Sequence, residues 1–399
     1  MKQGMSVFGQ VVGLIPRGEF ERFVRERGSE RYAKGFDSWT QMVSMLFCQL
    51  AQAKSLREIC QGLRSCLGKL NHVGVMDAPN KSTLAYANAH RPWELFEDVY
   101  LALLQRYQAE SPGKKRKFRF KNKLLSLDAT VIDLCVKVFD WAKFRRTKGA
   151  VKLHLLLDHD GYLPTYALIT EGRVHEVNTA WTLELPEGSI LAIDRAFTDY
   201  RLFEMWTDQK IWFVTRMKAN AVYEVIEDRP VPAHRNILQD QLIKLKRLQS
   251  CWEHVSTMRR VVVWDPKKEE QIMLLTNNLA FGASTIAEIY RDRWEIELFF
   301  KALKQNLKVK TFIGTSANAL KIQIWTALIA MLLIKYLQFK STLGWALSNL
   351  VALLRLNLFT YRDLWAWIDD PFGNPPLGSE GTQLMLPFLD SILPEGHAF

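Results

Sequence analysis

Residues 285–310 read TIAEIYRDRWEIELFFKALKQNLKVK, and apolar side chains recur in this stretch at the three- and four-residue intervals of an α-helix. Thr285 and Glu288 have the spacing of a capping box, so the helix is predicted to begin there and to extend to about residue 307. The stretch therefore predicts a long helix that lies on a β-sheet. Its apolar face is formed by Ile289, Ile296, Phe300, Leu303 and Leu307.

A polar stripe runs beside this apolar face. Tyr290, Arg293, Glu297 and Lys304 are spaced 3, 4 and 7 residues apart, and at about 100° per residue they fall within roughly 60° of one another. A polar stripe next to a buried one can face a cleft. Alternatively, Arg293 and Glu297 form a surface ion pair at i, i+4, with Lys301 on the same face. Periodicity leaves both interpretations open.

Two aspartates follow buried strands earlier in the chain. Asp128 comes after the apolar run LLSL and Asp194 after ILAI, so both are predicted near the carboxyl end of a strand. Ligands of open α/β sheets bind at that edge, and carboxylate oxygens suit hard divalent cations. A single Asp at such a place is more often a turn or helix-capping residue, so each one alone is weak evidence for a metal site.

Strand patterns begin at about residue 122 and helices return after Ser284. We therefore expect an α/β domain over residues 124–340, which carries a β-rich insertion at about 205–280, and a C-terminal helical segment and tail over 341–399. The first strands are predicted at 124–127, 152–157 and 190–193. Those of the insertion are predicted in WFVTRMK from Trp212, YEVIE from Tyr223, RRVVVW from Arg259 and IMLLT from Ile272.

The first 112 residues are predicted to form an all-helical domain. Ser38 with Gln41, and Ser55 with Glu58, have capping-box spacing, and each pair precedes apolar residues at helical intervals. Two amphipathic helices joined by a short turn are compatible with a helix-turn-helix DNA reader. Plain core helices have the same pattern more often, so this feature alone is weak evidence for DNA binding.

Positive charge is concentrated on the N-terminal side. The formal net charge is +11; residues 1–150 contain 26 Lys and Arg against 14 Asp and Glu, whereas residues 151–399 contain 27 against 28. Such an asymmetry predicts a polyanionic partner, either nucleic acid or an anionic membrane surface. The run GKKRKFRFKNK at 113–123 is predicted to be a basic linker that could also bind phosphates.

The composition favours a soluble cytoplasmic protein. Hydrophobic residues make up 48% and charged residues 24% of the chain, as in globular proteins. The five cysteines form no CxxC pair and are predicted to be reduced core residues, and the N-terminus has no secretory pattern. The apolar run 322–334 contains Gln323 and Thr326 and is shorter than the roughly 20 residues that a bilayer needs, so a buried helix is predicted.

The polar stripe also matches a known signature. Tyr, two residues, Arg, three residues, Glu, six residues and Lys follow one another without a gap as Tyr290, Arg293, Glu297 and Lys304. This pattern resembles the signature of the large bacterial insertion-sequence transposase family that is named for those four residues, within the DDE class.

Other blocks are similar to the same family, from residue 8 to about residue 340. They are LDATVIDLC at Asp128, KGAVKLHLLLD at Lys148 and AIDRAFTDY at Asp194, and the opening GLIPRGEFERFV with SWTQMVSMLFCQL resembles the N-terminal domain of many members. One departure is Ala196, where many members have Gly. Ala is also a small residue, so the difference affects only how closely other groups can approach the backbone at this position.

The resemblance implies an RNase H-like catalytic core in which Asp128, Asp194 and Glu297 bind two divalent metal ions, magnesium or manganese. The implied function is that of a DNA transposase that binds the terminal repeats of an insertion sequence, cleaves its ends and joins the 3′ hydroxyls to target DNA. We expect a homodimer in the synaptic complex, double-stranded DNA as the partner, no membrane, and a cytoplasmic location with the bacterial nucleoid. No nucleotide cofactor is expected, since no GxxxxGK[ST] loop is present.

The resemblance also implies DNA contacts. Arg293 and Lys304 are expected to hold phosphate oxygens near the cut. Tryptophans could stack on an unpaired base if the reaction passes through a DNA hairpin, although core packing is the more common use of this residue. The other side chains expected at the DNA are Tyr290, Arg195 and Trp294, with Trp212 or Trp252 as further candidates for stacking.

Rival functions share part of this pattern. A structure-specific DNA nuclease would have the same carboxylates, but it would cut without preference for terminal repeats and would not join ends. A catalytically inert DNA-binding relative would usually lack one of the three carboxylates, and all three are present here. A membrane-surface protein would fit the basic N-terminal side and leave the helix pattern unexplained.

Overall fold

The computed structural model describes residues 5–31, 33, 35–66, 68, 70–110, 117–135, 139, 141, 143–145, 148–233, 236–246 and 256–373. Within these ranges the protein has an N-terminal helical region, one large mixed β-sheet, and helices that follow the sheet. The first part of the predicted basic linker, Cys251, Trp252 and the tail after residue 373 lie outside the described residues.

The N-terminal region is helical, as the sequence predicts, but one predicted cap was wrong. Asp37, rather than Ser38, caps the third helix, because its carboxylate accepts a hydrogen bond from the N–H of Thr40 at 2.7 Å. Ser55 caps the fourth helix as predicted, accepting from the N–H of Glu58 at 3.1 Å. The helices are α1 Val7–Val12, α2 Arg17–Arg27, α3 Ser38–Leu50, α4 Leu56–Ser65, α5 Lys81–His90 and α6 Glu94–Ala109.

Ten strands of the described chain form one sheet. They are β1 Leu124–Leu134, β2 Lys143–Arg145, β3 Lys148–Asp158, β4 Leu163–Glu171, β5 Ile190–Ile193, β6 Trp212–Arg216, β7 Tyr223–Asp228, β8 Ile237–Leu245, β9 Met258–Asp265 and β10 Glu270–Thr276. Their order across the sheet is β2-β3-β1-β5-β6-β10-β9-β8-β7, and β4 also pairs with β3.

The centre of the sheet is parallel and its flanks are antiparallel. β1 pairs parallel with β5, and β5 with β6, whereas β1, β3 and β4 are joined antiparallel. The predicted β-rich region continues the same sheet, because β10 pairs antiparallel with β6 and carries β9, β8 and β7 beyond it. The sequence analysis did not predict β4 or β8, whose buried positions do not alternate regularly along the strand.

The single helix predicted over residues 285–307 was wrong in its bounds and its continuity. Helix α9, Ala283–Asp292, begins after Gly282, and α10, Trp294–Asn306, follows a turn at Arg293. Arg293 keeps helical backbone angles, φ −51° and ψ −29°. The hydrophobic pattern therefore runs through the turn without a visible break, and all five predicted apolar positions are buried.

The remaining helices follow in chain order, and the longest of them crosses the interior. They are α7 Glu176–Ala180, α8 Tyr200–Asp208, α11 Ala317–Lys340, α12 Leu347–Asn357 and α13 Leu364–Asp369. α11 is long and apolar enough to cross a bilayer, but 83% of its most apolar window is buried inside the protein. The buried helix predicted over 322–334 is thus confirmed.

One apolar core joins both ends of the described chain. α11 packs against α3, α5 and α6 from the N-terminal region and against α12 from the C-terminal side. Trp325 of α11 lies with its ring centroid 5.6 Å from that of Tyr100 and 6.4 Å from that of Trp93. The N-terminal helices therefore share their core with helices that follow the sheet.

The cysteine prediction holds for three of the four described positions. Cys48, Cys60 and Cys66 are buried thiols. Cys135 is exposed, so the prediction of a core residue was wrong there. It directly follows the last residue of β1, where the chain leaves the sheet.

The described part of the basic linker, residues 117–123, lies against the body of the protein. Phe118 and Phe120 stack with ring centroids 4.9 Å apart, and Phe120 stacks on Phe281 at 5.0 Å. Two lysines are already paired with carboxylates of the protein, Lys117 with Asp292 and Lys123 with Asp158. Their charges are therefore partly compensated before any DNA phosphate is bound.

Candidate active site

Asp128 and Asp194 lie on neighbouring parallel strands. The register of β1 with β5 ends at Leu127 opposite Ile193, and the two aspartates are the next residue on each strand. β5 ends there, and the carboxylate of Asp194 accepts from the N–H of Arg195 at 2.6 Å. β1 continues alongside β3 as far as Leu134, so the prediction that Asp128 lies near the carboxyl end of its strand was wrong; residues 129–134 remain paired in the sheet.

Arg293 connects the carboxylate of β1 to that of α10. Its Nη1 lies 3.3 Å from Oδ2 of Asp128, and its Nη2 lies 2.7 Å from Oε1 of Glu297. The side chain of Arg293 is 10% exposed and that of Glu297 is 34% exposed. The pair is therefore a partly buried bridge between two secondary-structure elements, and not the surface ion pair that the spacing left open.

Asp128 is held in an unfavourable electrostatic environment. Burial raises the pKa of Asp128 to about 6, although the N–H of Ala129 at 2.7 Å and the charge of Arg293 act in the opposite direction. The negative charges of Asp194 and Glu297 raise this pKa further. A cation beside Asp128 would favour its ionised form.

The three carboxylates do not form a closed set of ligands. In the described part of the chain, no group of three or more His, Cys, Asp or Glu side chains stands close enough to hold a metal ion. The guanidinium of Arg293 lies between Asp128 and Glu297 instead. Carboxylate oxygens suit magnesium or manganese, so the donors fit in chemistry and charge, provided that Arg293 moves aside.

Tyr290 lies beside Arg293, and Lys304 contacts β1. The guanidinium carbon of Arg293 lies 5.7 Å from the ring centroid of Tyr290, and burial with the charge of Asp194 raises the pKa of this phenol. Lys304 donates from Nζ to the carbonyl of Val131 on β1 at 2.9 Å. Burial and the neighbouring Lys310 lower the pKa of Lys304.

The other predicted DNA contacts differ in exposure. Arg195 is exposed directly after Asp194. Trp294 is 54% exposed at the start of α10, next to Arg293. Trp212 packs partly buried against an apolar cluster, which fits core packing better than stacking on a base.

A hydrogen-bonded network of Ser126, His159 and Asp292, which the sequence analysis did not predict, lies beside these residues. His159 contacts the hydroxyl of Ser126 through Nε2 and the Oδ2 of Asp292 through Nδ1, both at 2.7 Å. The other carboxylate oxygen of Asp292 accepts from Nζ of Lys117. Ser126 and Asp292 are buried. His159 is 33 residues from Ser126 and 133 from Asp292, so no local spacing in the sequence indicates that the three meet. The position of Asp292 directly before Arg293 was the one feature of the sequence that could have drawn attention to it.

Residues 119–333, which include all three carboxylates, match the family model described as Transposase DDE domain. The chain belongs to this family. Residues 3–76 match a second model, described as a domain of unknown function, DUF4372. The prediction of a transposase from the sequence is thus confirmed.

Relatives of this family member bear transposase names. A Sinorhizobium fredii protein, named as transposase y4zB, is 28% identical over 75% of this chain and 83% of the relative. The probable transposase for insertion sequence element IS5377 of Geobacillus stearothermophilus is 26% identical over 64% and 67%. A Synechocystis protein named as a transposase for insertion sequence element IS4SA is 25% identical over 69% and 76%.

A solved structure is also similar. It is the cryo-EM structure of a piggyBac transposase synaptic complex with hairpin DNA, with a TM-score of 0.45 and 11% sequence identity. The similarity covers 94% of this chain and 84% of that one.

Proposed function

We propose that this transposase cleaves the ends of an insertion sequence and joins the 3′ hydroxyls to target DNA at a site formed by Asp128, Asp194 and Glu297. The observation that carries the proposal is the double hydrogen bond of Arg293 to Asp128 and Glu297. Arg293 and Asp128 are 165 residues apart in sequence, and their side chains meet beside a third carboxylate. Such convergence of acidic groups around a buried carboxylate whose pKa is raised, here Asp128, is typical of functional sites.

We assign the core to the RNase H-like fold. Asp128 and Asp194 are on adjacent parallel strands at the centre of the sheet, and Glu297 is on a later helix. This is the arrangement that the resemblance of the sequence implies. The Tyr-Arg-Glu-Lys signature is part of the same proposal, because Arg293 contacts Asp128, Glu297 and the ring of Tyr290, and Lys304 donates to Val131 on β1.

The three carboxylates would hold two divalent ions, magnesium or manganese, which when bound neutralise charge at the scissile phosphate and activate the attacking oxygen. Water attacks first and exposes a 3′ hydroxyl at the end of the mobile element. That hydroxyl then attacks the target DNA in the same site. Arg293 turns from Asp128 towards a phosphate oxygen, for which its planar guanidinium is a suitable donor.

Side chains around the carboxylates bind and orient the DNA. Lys304 holds a phosphate from the next turns of α10, and Tyr290 and Arg195 contact the backbone on either side of the cut. Trp294 has an exposed indole that can stack on a base.

The N-terminal region binds the terminal repeats. The basic stretch that follows these helices contributes to the same surface: residues 1–150 contain 26 Lys and Arg against 14 Asp and Glu, and 12 of these basic residues against 3 acidic ones lie in residues 113–150. Electrostatic attraction of this kind supplies much of the affinity for DNA. Because two ends must be brought together, the working form is a homodimer, and no nucleotide cofactor is needed.

The test uses the purified protein, magnesium and a duplex that carries the ends of the element. Asp128→Asn, Asp194→Asn and Glu297→Gln should each lower end cleavage and joining by roughly 100-fold or more, since each removes part of a charge stabilisation worth several kcal/mol. The matched controls are Asp208→Asn at the exposed end of α8 and Glu295→Gln on α10, which should retain activity.

Two outcomes would overturn the proposal. If the three carboxylate variants cleave and join as well as the controls, the site is wrong. If the parent protein cuts DNA without preference for the ends and never joins them, the rival nuclease function is correct.

A further inference from the structure

The hydrogen-bonded network of Ser126, His159 and Asp292 connects β1, which carries Asp128, to the segment before α10, which carries Glu297. Ser126 precedes Asp128 by two residues on β1, and side chains two apart on a strand point to the same face. Asp292 is the last residue of α9 and directly precedes Arg293. His159 therefore links the strand of Asp128 to the turn from which α10 and Glu297 begin.

These links are almost entirely removed from water. The side chains of His159 and Asp292 are 5% and 2% exposed, and Ser126 is fully buried. Hydrogen bonds in such surroundings cannot be exchanged for bonds to water, and a fully satisfied network of this kind fixes the position of its members.

Asp292 has a partner for each carboxylate oxygen. Burial alone would raise its pKa, but the hydrogen bonds and charges of His159 and Lys117 outweigh burial and lower it. The ring of Tyr162 packs against His159 with centroids 5.4 Å apart and closes the network on one side. Asp292 is thus held as an anion in one position, immediately before the turn at Arg293.

We propose that Ser126, His159 and Asp292 are positioning residues that set the separation between the carboxylates of Asp128 and Glu297. This inference rests on the proposed function. The network contacts neither carboxylate directly. It acts through the backbone of β1 and through the turn at Arg293.

A purely structural role is the alternative, and the protein contains a matched control for it. Arg259 and Asp240 form a buried ion pair, 2% and 4% exposed, with two hydrogen bonds of 2.8 and 2.7 Å between β9 and β8. Its hydrogen bonds reach neither β1 nor Arg293. Breaking this pair therefore costs stability without disturbing the proposed positioning.

The experiment compares Ser126→Ala and Asp292→Asn with Asp240→Asn in the full chain. Mn²⁺ binding is followed by the electron paramagnetic resonance signal of the free ion, end cleavage is measured against Mg²⁺ concentration, and melting temperatures are recorded. The two network variants should raise the half-saturating concentration of both metals by about 10-fold or more, within the range for outer partners of metal sites. Asp240→Asn should lower the melting temperature and leave both metal curves unchanged.

The inference is overturned if the network variants melt earlier but bind Mn²⁺ with the half-saturation of the parent. A failure of the proposed function looks different, because it appears in the parent protein or in the Asp128, Asp194 and Glu297 variants, whatever the network variants do.

Discussion

The guanidinium of Arg293 compensates two carboxylates at once, so its removal affects the folded protein even without DNA. We predict that Arg293→Gln lowers the free energy of unfolding of the metal-free protein by about 3 kcal/mol, because it leaves the largely buried Asp128 without a cationic partner. Mg²⁺ should restore part of this loss. Urea unfolding with and without Mg²⁺ measures both effects.

Arg291→Gln is the matched control, since Arg291 is exposed on α9. Surface substitutions of this kind change the free energy of unfolding by about 0.5 kcal/mol or less. Equal stabilities of the two variants would contradict the bridging role of Arg293.

His154 gives the protein a pH dependence that is separate from the candidate site. It is fully buried on β3, and Nε2 lies 2.9 Å from the hydroxyl of Thr170. Burial, with a contribution from the charge of Lys152, lowers the pKa of His154 to about 4. The unfolded chain takes up the proton near pH 6.5 and the folded protein does not. The contribution of His154 to stability is therefore constant above pH 6.5 and falls between pH 6.5 and 4, by up to about 3 kcal/mol. The raised pKa of Asp128 acts in the opposite direction below about pH 6.

We predict that His154→Gln removes this dependence. Between pH 7.5 and pH 5.0 the parent should lose about 2 kcal/mol of unfolding free energy through this group, as measured in urea. The control His72→Gln changes an exposed histidine and should lose as much as the parent. The same loss in His154→Gln would assign the pH dependence to other groups.

The candidate site could be predicted in part from the sequence. Asp128 and Asp194 each follow an apolar run, and the polar stripe of α9 and α10 has helical spacing. These site residues could therefore be predicted from local sequence patterns. The hydrogen bonds of His159 to Ser126 and Asp292, and that of Arg293 to Asp128, could not be predicted, because bonds between residues 33 to 165 positions apart leave no periodicity.

Glycines test how tightly two N-terminal helices are packed. A Cβ on Gly62 of α4 would lie 2.7 Å from Cζ of Phe47, a buried ring on α3, whereas a Cβ on Gly18 of α2 would meet nothing within 4 Å. We predict that Gly62→Ala destabilises the protein by about 1 kcal/mol, since overpacking of 1–3 kcal/mol exceeds the gain in helix propensity of about 1 kcal/mol.

Gly18→Ala should instead stabilise by up to about 1 kcal/mol, since only propensity acts there. Thermal or urea unfolding of the two variants measures the difference. A stabilising Gly62→Ala would mean that α3 and α4 can separate without cost.

Secondary structure was predictable where a periodicity is undisturbed. The helices of the first 112 residues and the buried strands β1, β3 and β5 have clear patterns in the sequence. β8 could not be predicted because its buried positions do not alternate along the strand. The turn at Arg293 could not be predicted because its backbone keeps helical angles, so the helical periodicity continues through it. Pairing between β6 and β10 depends on contacts across the sheet, which no local pattern records.

The apolar core crosses the chain from the N-terminal helices to α11, so these parts should unfold together. We predict that Leu328→Ala, at a buried position in the middle of α11, destabilises the protein by about 2–5 kcal/mol. Hydrogen exchange should become faster in α3, α5 and α6 to the same extent as in α11.

Val225→Ala on the exposed edge strand β7 is the control and should leave these rates unchanged. If exchange in α3 stays at the rate of the parent while α11 opens, the N-terminal helices form an independent unit, as the predicted boundary at residue 112 implies.

The position of α11 also determines when the protein can complete its fold during synthesis. The last N-terminal helix ends at Ala109, but α11 leaves the ribosome only after residue 340 has been added. At 5–20 residues per second this delay is roughly 10 to 50 s. During that time the apolar faces of α3, α5 and α6 that later pack on α11 remain exposed. The nascent chain should therefore depend on chaperones that bind exposed apolar helices.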